Sequence, residues 1–231
     1  MNRQRATPRL SVIIPTLDER QTIGDVLDDL AGLRDAGHEV ILVDGGSSDA
    51  TPRIAAPGVD KVLRSDRGRA RQMNAGARAA SGDVLWFLHA DCRIPAGAAQ
   101  QVIDGCARGP IWGRFDVRLS GAATLLRIVE TLMNLRSRIS GIATGDQGIF
   151  VSRALFDQVG GFPDIPLMED IALSTALRRV RRPDCIRQPR LLASSRRWET
   201  HGILRTIVLM WRLRLAFALG TPATALARHY R

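Results

Sequence analysis

The chain has 231 residues, of which 45% are hydrophobic and 5% aromatic, and a formal net charge of +10. That length suits one α/β domain with a short appendage and a proper core, while so few aromatics exclude an extended stacking surface for single-stranded nucleic acid. The charge is carried almost wholly by arginine, with Lys61 the only lysine, and favours anionic partners: nucleotide phosphates, an acidic membrane surface or nucleic acid.

Leu10-Ser11-Val12-Ile13-Ile14 is a short apolar run cut by Pro15. It predicts a buried strand and is too short for the apolar region of a signal peptide. Thr22 to Asp25 has the Thr-x-x-acid pattern of a helix start, and Ile23, Val26, Leu27, Leu30 and Leu33 recur at helical spacing until Gly37. Val40 to Val43 predicts a second buried strand, which runs into Asp44-Gly45-Gly46-Ser47-Ser48-Asp49 and a short helix over Ala50 to Ala55. Lys61 to Leu63 is a weak third strand, and Arg69 to Ala80 an alanine-rich helix. Val84 to Leu88 is another buried strand, ending in His89-Ala90-Asp91, with a helix over Ala96 to Cys106 behind it. Strands alternating with helices predict a mostly parallel sheet with covered faces.

The second half predicts a strand over Trp112 to Leu119, a long helix over Ala122 to Ser140, a strand over Gly148 to Ser152 and a helix over Glu169 to Arg179. Near the C-terminus, Leu204, Ile207, Val208, Trp211, Leu215 and Ala218 form one helical stripe. Arg205 and Arg212 lie on a neighbouring one, and Arg214 faces elsewhere. This segment fits a helix lying in a membrane interface as well as one packed on the domain or a second subunit. It carries three arginines, so no bilayer span is expected.

In parallel sheets ligands sit beyond the carboxyl ends of strands, where Asp44 and Asp91 both fall. Asp91 either supplies a hard oxygen ligand to a divalent cation that neutralises a diphosphate leaving group, with His89 assisting, or it caps the next helix. Asp44 either binds a base or ribose hydroxyl or caps its own turn with Ser47 and Ser48; Gly45 and Gly46 let a ligand approach closely. That glycine pair is not a Gly-x-Gly-x-x-Gly fingerprint, which argues against a dinucleotide dehydrogenase. Arg67, Arg69 and Arg71 can hold a pyrophosphate at a helix start or form a solvated basic face. Glu169-Asp170 can supply a general base or simply complement a helix dipole. Asp146-Gln147 is a polar turn between glycines. Cys92, Cys106 and Cys185 have no metal-type spacing and read as reduced thiols of a cytoplasmic protein, Cys92 as a structural one.

Taken together these turns resemble the family 2 glycosyltransferases, which have the GT-A fold. Ser11 to Glu19 is similar to that family's first strand and nucleotide-binding turn, and Val43 to Thr51 to its second. Gly68 to Gly76, Phe87 to Asp91, Gly160-Gly161-Phe162 and Met168-Glu169-Asp170 resemble its later motifs in order and spacing. Within the family the chain most resembles a small bacterial branch with a His-Ala-Asp metal turn and a Gly-Asp-Gln segment, here Gly145-Asp146-Gln147. The wider family usually has two aspartates in the metal turn; here the first is His89, which leaves manganese and magnesium both open. Arg197-Trp198 resembles the end of the acceptor motif of processive polymerases, although Ser194 stands where their glutamine is expected.

The resemblance implies that Pro15, Thr16, Glu19, Asp44, Gly45 and Arg69 bind the nucleotide, and that Asp91 and His89 hold the cation. It implies Asp170 as general base, with Glu169 the less favoured choice, and Asp146, Gln147 and Trp198 on the acceptor side. The implied reaction is inverting transfer from a nucleotide-diphosphosugar to an acceptor hydroxyl, with a lipid-linked acceptor, peripheral membrane contact at the inner face and a homodimer all compatible with it. A GT-A domain over residues 1–200 is expected, with a nucleotide half over about 9–108 and an acceptor half over about 109–200, followed by a helical segment over 201–231. The rivals are a nucleotide-sugar-binding protein without catalysis, a nucleotidyltransferase on a related sheet, and a basic nucleic-acid module. The second lacks its glycine- and arginine-rich loop after the first strand; the third lacks a clustered basic face or a recognisable motif.

Overall fold

The computed structural model describes residues 7–230, so the expected outer domain limits at residues 1 and 231 lie outside the described residues. Seven strands form one sheet in the order β3-β2-β1-β4-β6-β5-β7. The strands are β1 (Leu10–Thr16), β2 (Glu39–Asp44), β3 (Lys61–Arg64), β4 (Val84–Phe87), β5 (Trp112–Leu119), β6 (Phe150–Ser152) and β7 (Asp184–Ala193). Every pairing is parallel except the two made by β6, which runs against β4 and β5. The mostly parallel α/β sheet expected from the alternation of elements is therefore present.

The helices are α1 (Ile23–Asp35), α2 (Thr51–Ala55), α3 (Arg69–Ala79), α4 (Ala98–Ala107), α5 (Thr124–Ser140), α6 (Arg153–Gln158), α7 (Glu169–Val180), α8 (Arg196–His201), α9 (Ile203–Ala218) and α10 (Ala223–Tyr230). Alternation along β1 decides which helices cover which face. Leu10, Val12 and Ile14 point into a core shared with Ile23, Val26 and Leu30 of α1, Val102 of α4 and Leu126 of α5. Ile13 points the other way, into a core with Met73 and Ala77 of α3, Phe156 of α6 and Leu173 of α7. Gly76 lets α3 sit this close, since a Cβ there would lie 2.4 Å from Ile13 Cγ2.

One local expectation is corrected, one strand is added, and one open alternative is described further. Thr22 makes no cap hydrogen bond at α1; its hydroxyl donates to the Glu19 carboxylate at 3.0 Å instead. Asp184–Ala193 gave no strand signal because Arg187, Pro189 and Arg190 interrupt any apolar run. It is nevertheless an edge strand paired to β5, a place where proline is tolerated. Of the α9 stripe, Leu204, Val208, Trp211 and Leu215 are exposed while Ile207 packs against the core; the helix's buried residues are Thr206 and Leu213.

Two buried ionic knots anchor the sheet away from the cleft. Glu39 accepts from Ser11 Oγ, Lys61 Nζ and Ser81 N, tying β1, β2, β3 and the turn before β4 together. Asp116 of β5, fully buried, is paired with Arg114 beside it and with Arg138 of α5.

Candidate functional site

Beyond the carboxyl ends of β1 and β4 lies an open cleft of about 670 Å³. Six stretches build its walls. After β1 come Pro15, Thr16 and Glu19; after β4 come His89 and Asp91. The turn before β6 gives Gly145 and Asp146, the start of α7 gives Glu169 and Asp170, and the C-terminal helices give Arg196, Trp198, Arg214 and Tyr230. Arg69, at the start of α3, also lines it. Asp91 and Asp170, far apart in sequence, thus face one space.

The local chemistry explains each placement. Asp18 adopts left-handed backbone (φ +56°), and its carboxylate accepts from Ser48 N and Asp49 N. That contact laces the loop after β1 to the loop after β2 and holds Pro15, Thr16 and Glu19 at the rim. His89 and Asp146 meet through Nδ1 and Oδ1 at 3.2 Å. The imidazole packs closely against the 144–147 turn: a Cβ on Gly145 would come 2.4 Å from His89 Nε2. Asp170 accepts from Gly145 N at 2.9 Å and from Ile171 N at 2.7 Å, so the same turn also orients this carboxylate. Met168, just before the acidic pair, has φ +69°, a strained conformation for a side chain of this size.

Charge in the cleft is unevenly balanced. Burial pushes the Glu169 carboxyl above its ordinary range, and the neighbouring Asp170 charge adds to this. Burial acts the same way on Asp146, but the His89 hydrogen bond and the charges of His89, Arg69 and Arg214 outweigh it and hold that carboxyl low. Burial also pushes the Cys92 thiol up, and its Sγ donates to His89 O, as suits a structural thiol. Arg196 spans the cleft entrance, with Nη2 3.2 Å from Glu19 Oε1 and 3.7 Å from Asp91 Oδ2.

Not every expected residue reaches the cleft. The Asp44 carboxylate is taken up by its own turn, accepting from Gly46 N, Ser47 N and Ser47 Oγ, and neither it nor Gly45 lines the space. Gln147 is fully buried: its Oε1 accepts from Thr144 N, and its Nε2 points at Phe115 O. It therefore braces the turn that presents Asp146 rather than facing an acceptor. Arg196, Arg214 and Tyr230 were not anticipated as cleft residues. Arg196 follows an unread strand, and the arginine periodicity of α9 marks faces without saying which one meets the domain.

Among the described residues, no three His, Cys, Asp or Glu side chains come together as a protein cage for a metal. Asp91 and His89 offer one or two donors at the cleft wall. That donor set fits a hard cation which takes the rest of its shell from a diphosphate and water.

Comparison with known proteins bears on the fold and the family. A 25% identical relative, the beta-monoglucosyldiacylglycerol synthase of Synechocystis, aligns over 74% of this chain and 40% of its own length. A PGL/p-HBAD biosynthesis glycosyltransferase of Mycobacterium bovis is 40% identical over 37% of this chain and 36% of its own length. The chain thus spans well under half the length of these curated relatives. Among solved structures, the glucosyl-3-phosphoglycerate synthase of Mycobacterium tuberculosis superposes with a TM-score of 0.68 at 21% identity, covering 94% of this chain and 81% of that one. The S. aureus TarS fragment gives 0.64 at 20% identity, covering 81% and 60%. These likenesses establish the GT-A fold. Residues 11–141, more than half of the sequence, match the family model described as "Glycosyl transferase family 2". On that match the chain belongs to glycosyl transferase family 2.

Proposed function

We propose that the chain transfers a sugar from a nucleotide-diphosphosugar donor to an acceptor hydroxyl, with inversion at the anomeric carbon and with a divalent cation. The observation that carries this reading is the shared cleft of Asp91 and Asp170 at the strand carboxyl ends. Solved GT-A relatives support the donor and the cation: the M. tuberculosis synthase was crystallised with Mn2+ and UDP, and a mannosyltransferase of Pyrobaculum calidifontis with GDP-Man and Mn2+.

In this reading Pro15, Thr16 and Glu19 bind the nucleoside side of the donor, and Asp44 with Gly45 shapes the loop beneath. Asp91, with His89, holds the cation; a bound cation supplies charge neutralisation for the departing diphosphate. Arg69 adds a fixed positive charge on the α3 side of the cleft. Asp170 takes the proton of the attacking hydroxyl. Glu169 is the less favoured choice because its side chain is the more buried of the two, whereas the Asp170 carboxylate is oriented by Gly145 N and Ile171 N. Single displacement then inverts the anomeric configuration.

The test is binding followed by turnover. UDP or GDP with manganese should stabilise the protein against heat, and Asp91→Asn should abolish the manganese-dependent part of that shift. No stabilisation by any nucleoside diphosphate would sink the reading.

The partners are proposed on a narrower observation. α5, which touches α9, carries an exposed apolar stripe of its own, formed by Ile128, Leu132, Leu135 and Ile139. No described helix is long and apolar enough to cross a bilayer. Exposed Arg205 and Arg212 flank the α9 stripe, a pattern suited to an acidic lipid interface at the cytoplasmic face and to an acceptor presented there. Flotation with acidic vesicles checks this; a protein that stays at the bottom and sediments as a dimer assigns the stripes to a second copy instead.

A further inference from the structure

On the adjoining helices α5 and α9 stand two arginines that, among the described residues, have no carboxylate to pair with, and of the two Arg214 lines the cleft. Arg136 projects from α5 and Arg214 from α9, and each helix packs against the other. Among the described residues neither guanidinium has a carboxylate oxygen within 4.0 Å, whereas Arg114, Arg138 and Arg196 do. Arg136 Nε and Nη2 are buried with no hydrogen-bond partner. A buried guanidinium lacking acceptors is costly, and a second cation beside it makes it more so. Arg136 therefore holds donors that an anion would satisfy.

We propose that Arg136 and Arg214 form a subsite for a phosphate group carried by the sugar acceptor. This rests on the transferase reading above and names its acceptor class: a hydroxyl compound bearing a phosphate, whether a free phosphate ester or a phospholipid headgroup.

Three features place the subsite on the acceptor side rather than under the donor. Arg214 lines the same cleft as Asp170. The carboxylates acting on Arg214 are Asp170 and Asp146, and the one acting on Arg136 is Asp170, the proposed base. Asp91 and Glu19, on the donor side, are engaged by Arg196. Burial pushes both guanidiniums below their ordinary range, Arg136 to about 10, with the Arg214 charge as its next cause. A phosphate between them removes that repulsion and sets the acceptor's hydroxyl close to Asp170.

The experiment uses the full chain saturated with UDP and manganese, so that the donor site is filled. Titration with glycerol 3-phosphate, followed by calorimetry, should show binding that Arg214→Gln weakens by about tenfold or more and Arg214→Lys by less. Arg136→Gln should behave like Arg214→Gln, while Arg108→Gln, on an exposed helix end away from the cleft, should bind as wild type. Vesicles of phosphatidylcholine with and without phosphatidic acid form the second arm. Arg214-dependent binding to the acidic vesicles alone identifies a lipid phosphate; Arg214-dependent binding of the soluble ester alone identifies a free one. Undiminished phosphate binding by both glutamine variants overturns the subsite. So does a loss of UDP affinity equal to the loss of phosphate affinity, which would make these arginines part of the donor site. Failure of UDP itself to bind wild type would instead count against the transferase reading.

Discussion

At the scale of single residues, the cleft depends on how one short turn serves two catalytic candidates. Gly145 supports the His89 ring on one side and donates its N–H to Asp170 on the other. Asp170→Asn keeps the volume and the N–H contacts but cannot take a proton. It should lower kcat by about 10² to 10⁴ while leaving UDP affinity nearly unchanged, as read by steady-state kinetics beside calorimetry. Gly145→Ala tests the support itself. Its new Cβ must push the His89 ring away, which should cost about 1–3 kcal/mol of stability and break the contact with Asp146. Adding His89→Ala should restore the melting temperature without restoring activity. The sequence marked Asp91 because an acidic residue stands out where an apolar run ends, Asp170 at an expected helix start, and the 145–147 turn by its flanking glycines. It could not separate Asp146, which faces the cleft, from Gln147, which is buried one position later. Nor could it separate a ligand-facing Asp44 from one satisfied by its own turn, since both begin with the same Asp-Gly-Gly-Ser string.

At the scale of elements, apolar runs made β1, β2 and β4 legible, and helical spacing did the same for α1 and α3. β7 was not legible, because a half-exposed edge strand held by backbone pairing needs no apolar signature. The α5 stripe was missed for a related reason: a helix apolar on two faces reads as a buried helix until its neighbours are known. α5 is also where the burial of charge is most exposed to test. Asp116 is fully buried between Arg114 and Arg138, and those hydrogen bonds hold its carboxyl low against the upward push of burial. Asp116→Asn leaves the buried Arg114 without its counter-charge. The expected cost is about 3–5 kcal/mol, measurable as a shift of the urea midpoint. Replacing Arg138 with Gln should cost less, because that side chain reaches solvent and Arg114 still pairs with Asp116.

At the scale of the whole molecule, the nucleotide-side sheet is tied at the edge opposite the cleft by Glu39. Its carboxylate joins β1 through Ser11, β3 through Lys61 and the turn before β4 through Ser81. Burial pushes this carboxyl up, but the Lys61, Ser11 and Ser81 hydrogen bonds overcome it and bring it down from 4.5 to about 2. The folded state therefore holds the carboxylate where the unfolded chain would already bind a proton. The resulting stability is fully present above the unfolded value of 4.5 and is lost as pH falls through about 2. Glu39→Gln removes the titrating group while keeping the side-chain shape. Above about pH 5 the variant should be less stable than wild type by about 2–3 kcal/mol, the worth of hydrogen bonds to a charged group. Below that the gap should narrow steadily, because only the wild type loses a charge. Thermal unfolding of both proteins across that range reads the difference directly, and a gap that stays constant down to about pH 2 would show that Glu39 carries no such linkage. Because the knot lies at the opposite ends of the strands from Asp91, the loss should appear in the unfolding transition and leave UDP affinity above about pH 5 unchanged.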